Sequence, residues 1–382
     1  MDRARRNVTH STAPPPVPHQ AADPEGTRSP ILTGDTVEGR RVLGFTCTAL
    51  SAPTSADDQL LLSGDADAAF PPQRSTNPAY QPTLERTGRR PDEQFDALAR
   101  AYQADDLGAV LADRFHDLLH GPHALPFTGD LIEHLAAAGH HTWVSGGAPR
   151  DLLMGAAPDE INDLDLTGTA PAGTFTETSR RVLDLEGVSA EHPQRFNPDT
   201  LTCTVLDPIA RTAGASLDYR GLGLGLAGSN YRATGTDLLQ DSLQRDLTVN
   251  TLLYDPLRSR LVDPLGKALD DLADDQGQRR LVPVNTSTDP LVRAEVLLRG
   301  LKFLLRWHTH DLDEEPLRVW TQSLPADLLT QLDQRGEETW HRLRMLWSQC
   351  VPDATAPEVT ETLRRLGTVA TQLAARCEGG RG

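Results

Sequence analysis

Asp163 and Asp165 stand two residues apart, with Leu164 and Leu166 interleaved between and after them. On a strand, that spacing puts both carboxylates on one face. Side by side they repel each other unless a cation lies between them. Hard oxygen ligands so placed suit Mg²⁺, which binds through one or two carboxylates and completes its shell with water and phosphate oxygens. Upstream, Gly146 and Gly147 form a turn at which the backbone can approach a bound group closely, and Arg150 follows it. A glycine turn able to hold phosphate oxygens, set just before a carboxylate pair, points to phosphoryl or nucleotidyl chemistry.

The elements that must position these groups can be read around them. Trp143 to Leu166 reads as a strand ending near Val144, the glycine turn, a short helix with Leu152, Leu153 and Met154, and the aspartate strand. Before it, residues 91–119 carry apolar side chains at helical spacing (Phe95, Leu98, Tyr102, Leu111, Phe115 and Leu119 among them), and Thr128 to Ala138 predicts a second amphipathic helix closed by Gly139. His140 and His141 invite a metal, but no further ligand lies near in sequence, and a polar turn is the simpler reading. After the aspartate strand come a helix over Gly173–Leu185 and strands over Leu201–Leu206 and Ala215–Tyr219. Gly221–Gly228 has GxGxxG-like spacing, but no strand–turn–helix unit frames it, so it reads as a loop.

Gln244–Leu253 predicts a helix with Arg245, Asp246 and Asn250 on neighbouring turns, followed by a hairpin of Leu252–Tyr254 and Arg260–Val262. Arg245 is the cation best placed in sequence to neutralise a polyphosphate, with a surface salt bridge an equally open reading. A short helix over Lys267–Asp275 and an exit strand over Arg279–Val282 follow. From Asp289 onward the chain reads as all helix, over Leu291–Trp307, Ala326–Gln334, Glu337–Trp347 and Glu358–Cys377. Arg293, Arg299, Lys302 and Arg306 could touch a nucleic-acid backbone, but acidic residues at least match basic ones from Asp289 to Leu346, so a solvated helix face is the simpler reading. The order of elements predicts a small mixed sheet covered by helices, with a helical bundle appended.

Composition bounds the rest. The 382-residue chain has a net charge of −17, and Lys267 and Lys302 are the lysines among its 37 basic residues. Such a chain does not attract nucleic acid through its overall field, and RNA would have to meet a local arginine patch. Cys47, Cys203, Cys350 and Cys377 are widely separated and read as reduced cysteines. With no apolar run of membrane-spanning length and no signal-peptide pattern, the expected setting is the cytoplasm, away from membranes. Residues 1–90 are rich in Pro, Ser, Thr, Ala and Asp and read as a largely disordered extension, with Arg41–Ala49 and Gln59–Leu62 briefly strand-like.

Taken together, GGAPRDLLMG (146–155), Asp163-Leu-Asp165, QRDLTVNTLLYDP (244–256), VDPLGKALDDL (262–272) and RRLV (279–282) resemble the head domain of class II tRNA nucleotidyltransferases and bacterial poly(A) polymerases. The resemblance spans about Thr128 to Val282. It implies an α+β, polymerase-beta-like nucleotidyltransferase head (126–285, a mixed sheet with helices) after a helical lead-in (91–125), and then an all-helical neck (286–382). It implies an enzyme of RNA processing that adds a nucleoside monophosphate from an NTP (ATP or CTP) to an RNA 3′ end, in the manner of tRNA CCA addition or poly(A) synthesis. Asp163 and Asp165 would hold Mg²⁺, with Asp218 the candidate third carboxylate. Gly146, Gly147, Arg150 and Asp151 would cradle the triphosphate, with Arg245, Asp246 and Asn250 nearby.

The sequence departs from that family in places. Pro149 replaces a Val, Gln244 replaces the first Arg of an Arg-Arg-Asp signature, and the neck's first helix lacks the Asp and Arg with which the family reads the base. One alignment puts Val292 at that Arg; the other puts Arg293 at the Asp and Val296 at the Arg. A non-catalytic descendant that binds RNA or nucleotide, and a nucleotidyltransferase acting on a protein or small molecule, stay open as alternatives.

Overall fold

Alternation of side chains decides the central strand. In Asp163–Gly168, Leu164 and Leu166 are buried while Asp163 and Asp165 face the other way, as a half-buried strand requires. The structure, a computed structural model, describes residues 100–379 apart from several stretches inside that range, chiefly 189–193, 198–201, 207–215, 223–237, 273–276, 308–311 and 352–355. It also describes two strands in the N-terminal extension, β1 (Asp35–Val37) and β2 (Arg40–Val42), which pair antiparallel. A short hairpin thus lies in the stretch expected to be largely disordered. The rest of 1–90, including Gln59–Leu62, lies outside the described residues.

The main sheet has eight strands: β3 (Arg100–Gln103), β4 (Thr142–Ser145), β5 (Asp163–Gly168), β6 (Gln194–Asn197), β7 (Thr202–Leu206), β8 (Ser216–Gly221), β9 (Leu253–Asp255) and β10 (Arg260–Asp263). Their order is β3-β10-β9-β4-β5-β8-β7-β6, with β5 and β8 parallel and the other pairs antiparallel. Helices α1 (Ala109–His120), α2 (Thr128–Ala137), α3 (Gly147–Leu153) and α4 (Ala172–Leu185) pack with one another and with the sheet. Phe115 of α1 stacks on Tyr254 at 3.7 Å, and Phe175 of α4 on Tyr219 at 3.8 Å. On the opposite side of the sheet, Trp143, Leu253 and Val262 form a smaller cluster with Leu222 and Leu238.

The observed elements differ from the expected ones at several points. The helix expected across 91–119 begins only at Ala109, because Arg100–Gln103 is an edge strand whose Tyr102 lies opposite Leu261. Tyr102 is fully buried there. Its helical spacing from Leu98 in the sequence was compatible with either state, and the ladder bonds to β10 decided it; residues 91–99 are outside the described residues. The helix expected over Gln244–Leu253 is absent. Instead α5 (Leu238–Leu243) stops, Leu247 bridges to Pro283, and a 3₁₀ turn occupies Thr248–Asn250. Side chains compete with the helix here: Asp246 accepts from the Leu247 amide and from Asn250 Nδ2, both at 2.8 Å, and Thr248 donates to Asp271 at 2.6 Å. The helix expected over Lys267–Asp275 is α6 (Ala268–Leu272), and Gly221 ends β8 rather than opening a loop.

In the neck, α7 (Pro290–Arg306), α8 (Glu315–Gln322), α9 (Leu328–Gln334), α10 (Glu337–Cys350), α11 (Ala356–Leu366) and α12 (Thr368–Glu378) form the bundle. It is not purely helical: β11 (Arg279–Arg280), shorter than the expected exit strand, pairs in parallel with β12 (Leu312–Asp313). The single helix expected over 358–377 is split by Gly367, whose φ of 108° an L side chain rarely adopts. One hydrophobic cluster runs from Tyr102 and Phe115 through Leu297 and Phe303 to Leu373 and Cys377, so head and neck share a core. Among the described residues no helix is long and apolar enough to cross a membrane.

Candidate active site

Strand register assembles the carboxylates. Asp165 on β5 and Asp218 on β8 are direct partners across a parallel pair, and Asp163 lies opposite Ser216. Period-two alternation turns all three aspartates to the face away from Leu164, Leu166, Leu217 and Tyr219, which are buried. They line one cavity of about 1000 Å³.

The electrostatics are those of carboxylates awaiting a counter-charge. Burial pushes Asp165 up to about 6; Arg245 pulls it down, and Asp218 and Asp163 push it further up. Asp218 is raised as well, first by burial, with a hydrogen bond from Thr204 opposing and Asp163 adding. Asp218 Oδ1 is buried with no hydrogen-bond partner among the described residues. A divalent cation would satisfy that oxygen and relieve the repulsion, so the donor set fits Mg²⁺. The described residues do not by themselves converge into a closed ligand cluster.

Gly146 makes room for this face. Its φ of 70° is left-handed, and a Cβ at this position would run into Asp165 Oδ2. Gly147 then opens α3, which carries Arg150 back toward the cavity.

Arg150 is buried and firmly held. It donates from Nε to Asp151 Oδ1 at 2.9 Å, from Nη2 to Asp151 Oδ2 at 2.7 Å, and from Nη1 to Asn250 Oδ1. Its guanidinium lies 4.7 Å from the centre of the Phe303 ring of α7. Asn250 donates in turn to Asp246, and Asp246 faces Arg299 at 3.3 Å. Arg245 donates to Asp241 Oδ2 from Nε at 3.1 Å and from Nη2 at 2.7 Å. The residues singled out in the sequence therefore line one cavity, but Asp151 and Asp246 are engaged in orienting arginines.

The opposite wall belongs to the neck. Arg299, Lys302 and Arg306 of α7 and Arg342 of α10 line the cavity, so the expectation of a merely solvated α7 face does not hold. Counting charges over the whole segment hid them. The available signal was their spacing of three and four residues, which puts them on one side of a helix. Arg293, grouped with them in sequence, donates instead to the Ser287 carbonyl at 3.1 Å. None of Val292, Arg293 and Val296, the positions aligned with a base-reading pair, lines the cavity, and Val296 is fully buried. Glu295 does line it, and accepts from Arg342 Nε at 2.5 Å. His140 and His141 lie outside the cavity; His141 stacks on Trp143 at 5.7 Å, and its backbone N–H donates to Thr169 Oγ1 at 2.9 Å.

Residues 142–276 match the family model of the poly A polymerase head domain, and this segment holds every one of the singled-out site residues from Gly146 to Asn250. The likeness to that head domain is confined to this segment. Among solved structures, the chain is similar to the Thermotoga maritima CCA-adding enzyme complexed with tRNA, at 16% identity and a TM-score of 0.47, over 70% of this chain and 54% of that one. It is similar to a CCA-adding enzyme with CTP at 16% identity and a TM-score of 0.48, over 70% and 55%. A tRNA nucleotidyltransferase complexed with a primer tRNA and an incoming ATP analog matches at 19% identity and a TM-score of 0.43, over 62% and 60%. The chain thus spans somewhat over half the length of these proteins.

Proposed function

We propose that this head domain and its neck form a metal-dependent nucleotidyltransferase that moves a nucleoside monophosphate from ATP or CTP to an RNA 3′ end, tRNA included. One observation carries the reading: Asp165 and Asp218 are neighbours on parallel strands, Asp163 shares their face, and a cationic wall stands across the same cavity. In this reading the acceptor 3′-hydroxyl gives up its proton to solvent, its oxygen bonds to the α-phosphorus, the bond to the bridging oxygen breaks, and pyrophosphate leaves. Asp163, Asp165 and Asp218 would hold Mg²⁺, which when bound lowers the pKa of the acceptor hydroxyl and neutralises charge on the phosphates.

The chain's own cations supply the rest of the stabilisation. Arg245 sits on the cavity wall close enough to Asp165 to depress its proton affinity, and Arg299 acts on it from the neck side. Both are pre-positioned by carboxylates, Asp241 and Asp246, so they need little reorganisation as negative charge grows on the departing pyrophosphate. Arg150 is fixed by Asp151 and Asn250 beside the Gly146–Gly147 turn, where the triphosphate would lie. Val296 offers no hydrogen bond to a base, so nucleotide choice rests on other residues. The reaction belongs in the cytoplasm, and the buried free thiols of Cys203, Cys350 and Cys377 suit a reducing compartment.

The net charge of −17 favours a second reading, in which the acceptor hydroxyl belongs to a protein or small molecule and no large RNA surface is gripped. One experiment separates the two and tests both. The protein is incubated with Mg²⁺, each labelled NTP and a tRNA pool. Label is expected in RNA, and is expected to vanish in Asp163→Asn combined with Asp165→Asn. Labelling that survives the double substitution overturns the site assignment, and label confined to protein without RNA selects the second reading.

A further inference from the structure

Asp151 carries two guanidinium groups, and they are held unequally. Arg150 makes two short hydrogen bonds to it, is 6% exposed, and is also anchored to Asn250 and packed on Phe303. Arg306, from the last turn of α7, approaches the same Asp151 Oδ2 only to 3.6 Å, and its side chain is 49% exposed. Both arginines and Asp151 line the main cavity, and Lys302 lines it one turn before Arg306. One carboxylate shared by two guanidiniums leaves an excess positive charge at this spot. A long, half-exposed ion pair is weak and easily exchanged. A phosphate group offers more charge than a carboxylate and accepts from a guanidinium in a two-pronged fashion.

We propose that Arg306 is a polyphosphate-binding residue held on Asp151 in the ligand-free protein, which transfers to the phosphates when a nucleotide enters while Arg150 stays in place. Asp151 is then a positioning residue: it fixes the head's arginine and stores the neck's. Because Phe303 and Arg306 lie on the same face of α7, the transfer also draws the end of that helix against the head. This inference rests on the nucleotide reading of the site.

The test is calorimetric titration of the full chain with inorganic tripolyphosphate and, separately, with ATP, in wild type, Arg306→Gln and Arg306→Lys, alongside thermal melts without ligand. Arg306→Gln is expected to weaken tripolyphosphate binding about tenfold, the loss of one charge-assisted contact. Arg306→Lys is expected to recover part of it, and the ligand-free Tm to move by less than about 2 °C. A lower Tm with unchanged affinity would make Arg306 a structural residue and overturn the inference alone. Wild type that binds neither tripolyphosphate nor ATP would overturn the nucleotide reading and this inference with it.

Discussion

Burial, set against Arg245 and reinforced by Asp218 and Asp163, brings Asp165 up to about 6, against an ordinary value of 3.8. The folded, metal-free protein therefore holds that proton more tightly than the unfolded chain does. Stability contributed by the protonated group is complete below about pH 4 and is lost as the pH rises through about 6. At pH 7.5 the ionised group costs on the order of 3 kcal/mol. Asp165→Asn should accordingly raise the Tm of the metal-free protein at about pH 7.5, leave it nearly unchanged at about pH 3, and cut nucleotidyl transfer at least about a hundredfold. Melts at the two pH values with single-turnover assays check this, and a variant no more stable than wild type at pH 7.5 would contradict it. The pair Asp163 and Asp165 was legible in the sequence from its spacing alone. Asp218 was only a weak candidate, because nothing in one dimension says that its strand lies beside β5 in register.

At the scale of elements, two turns share a left-handed glycine but differ in what surrounds them. Gly146 (φ 70°) lies against Asp165, whereas Gly367 (φ 108°) has nothing within 4 Å of where a Cβ would stand. Alanine at either position should cost about 1–2 kcal/mol of stability through backbone strain. Gly146→Ala should in addition displace the Asp165 carboxylate and lower transfer at least about tenfold, while Gly367→Ala should leave the rate near wild type. Denaturant melts paired with rate measurements test the contrast, and equal rates in the two variants would refute it. The glycine turn, α3 and β5 could be read from the chain because each local pattern agrees with its tertiary setting. The segment from Gln244 to Asn250 could not. Its spacing is helical, yet bonds from Asp246 to Leu247 and Asn250, and from Thr248 to Asp271, hold it in a different shape.

At the scale of the molecule, head and neck are bound by a continuous core and by charges facing each other across one cavity. Leu291, Leu297 and Phe303 of α7 belong to the same cluster as Val144 and Leu164 of the sheet. A chain ending at residue 285 would expose that surface, and it should lack a cooperative melt and bind a hydrophobic dye. A sharp transition from such a fragment would show that the head is self-sufficient. The acidic total also hides a local grouping: Arg245, Arg299, Lys302 and Arg306 are gathered around one cavity.

What the sequence by itself determined was the local chemistry: a glycine turn, an aspartate pair on one strand face, and the order of helices and strands that frames them. These follow from φ/ψ preferences and from periods of two and 3.6 residues, which act over a few neighbours. Only the tertiary structure decided that Asp218 stands beside Asp165, that 100–103 joins the sheet edge as a strand, and that the basic face of α7 turns toward the aspartates. Each depends on pairing between segments distant in the chain, where register and shared burial, not local preference, set the outcome.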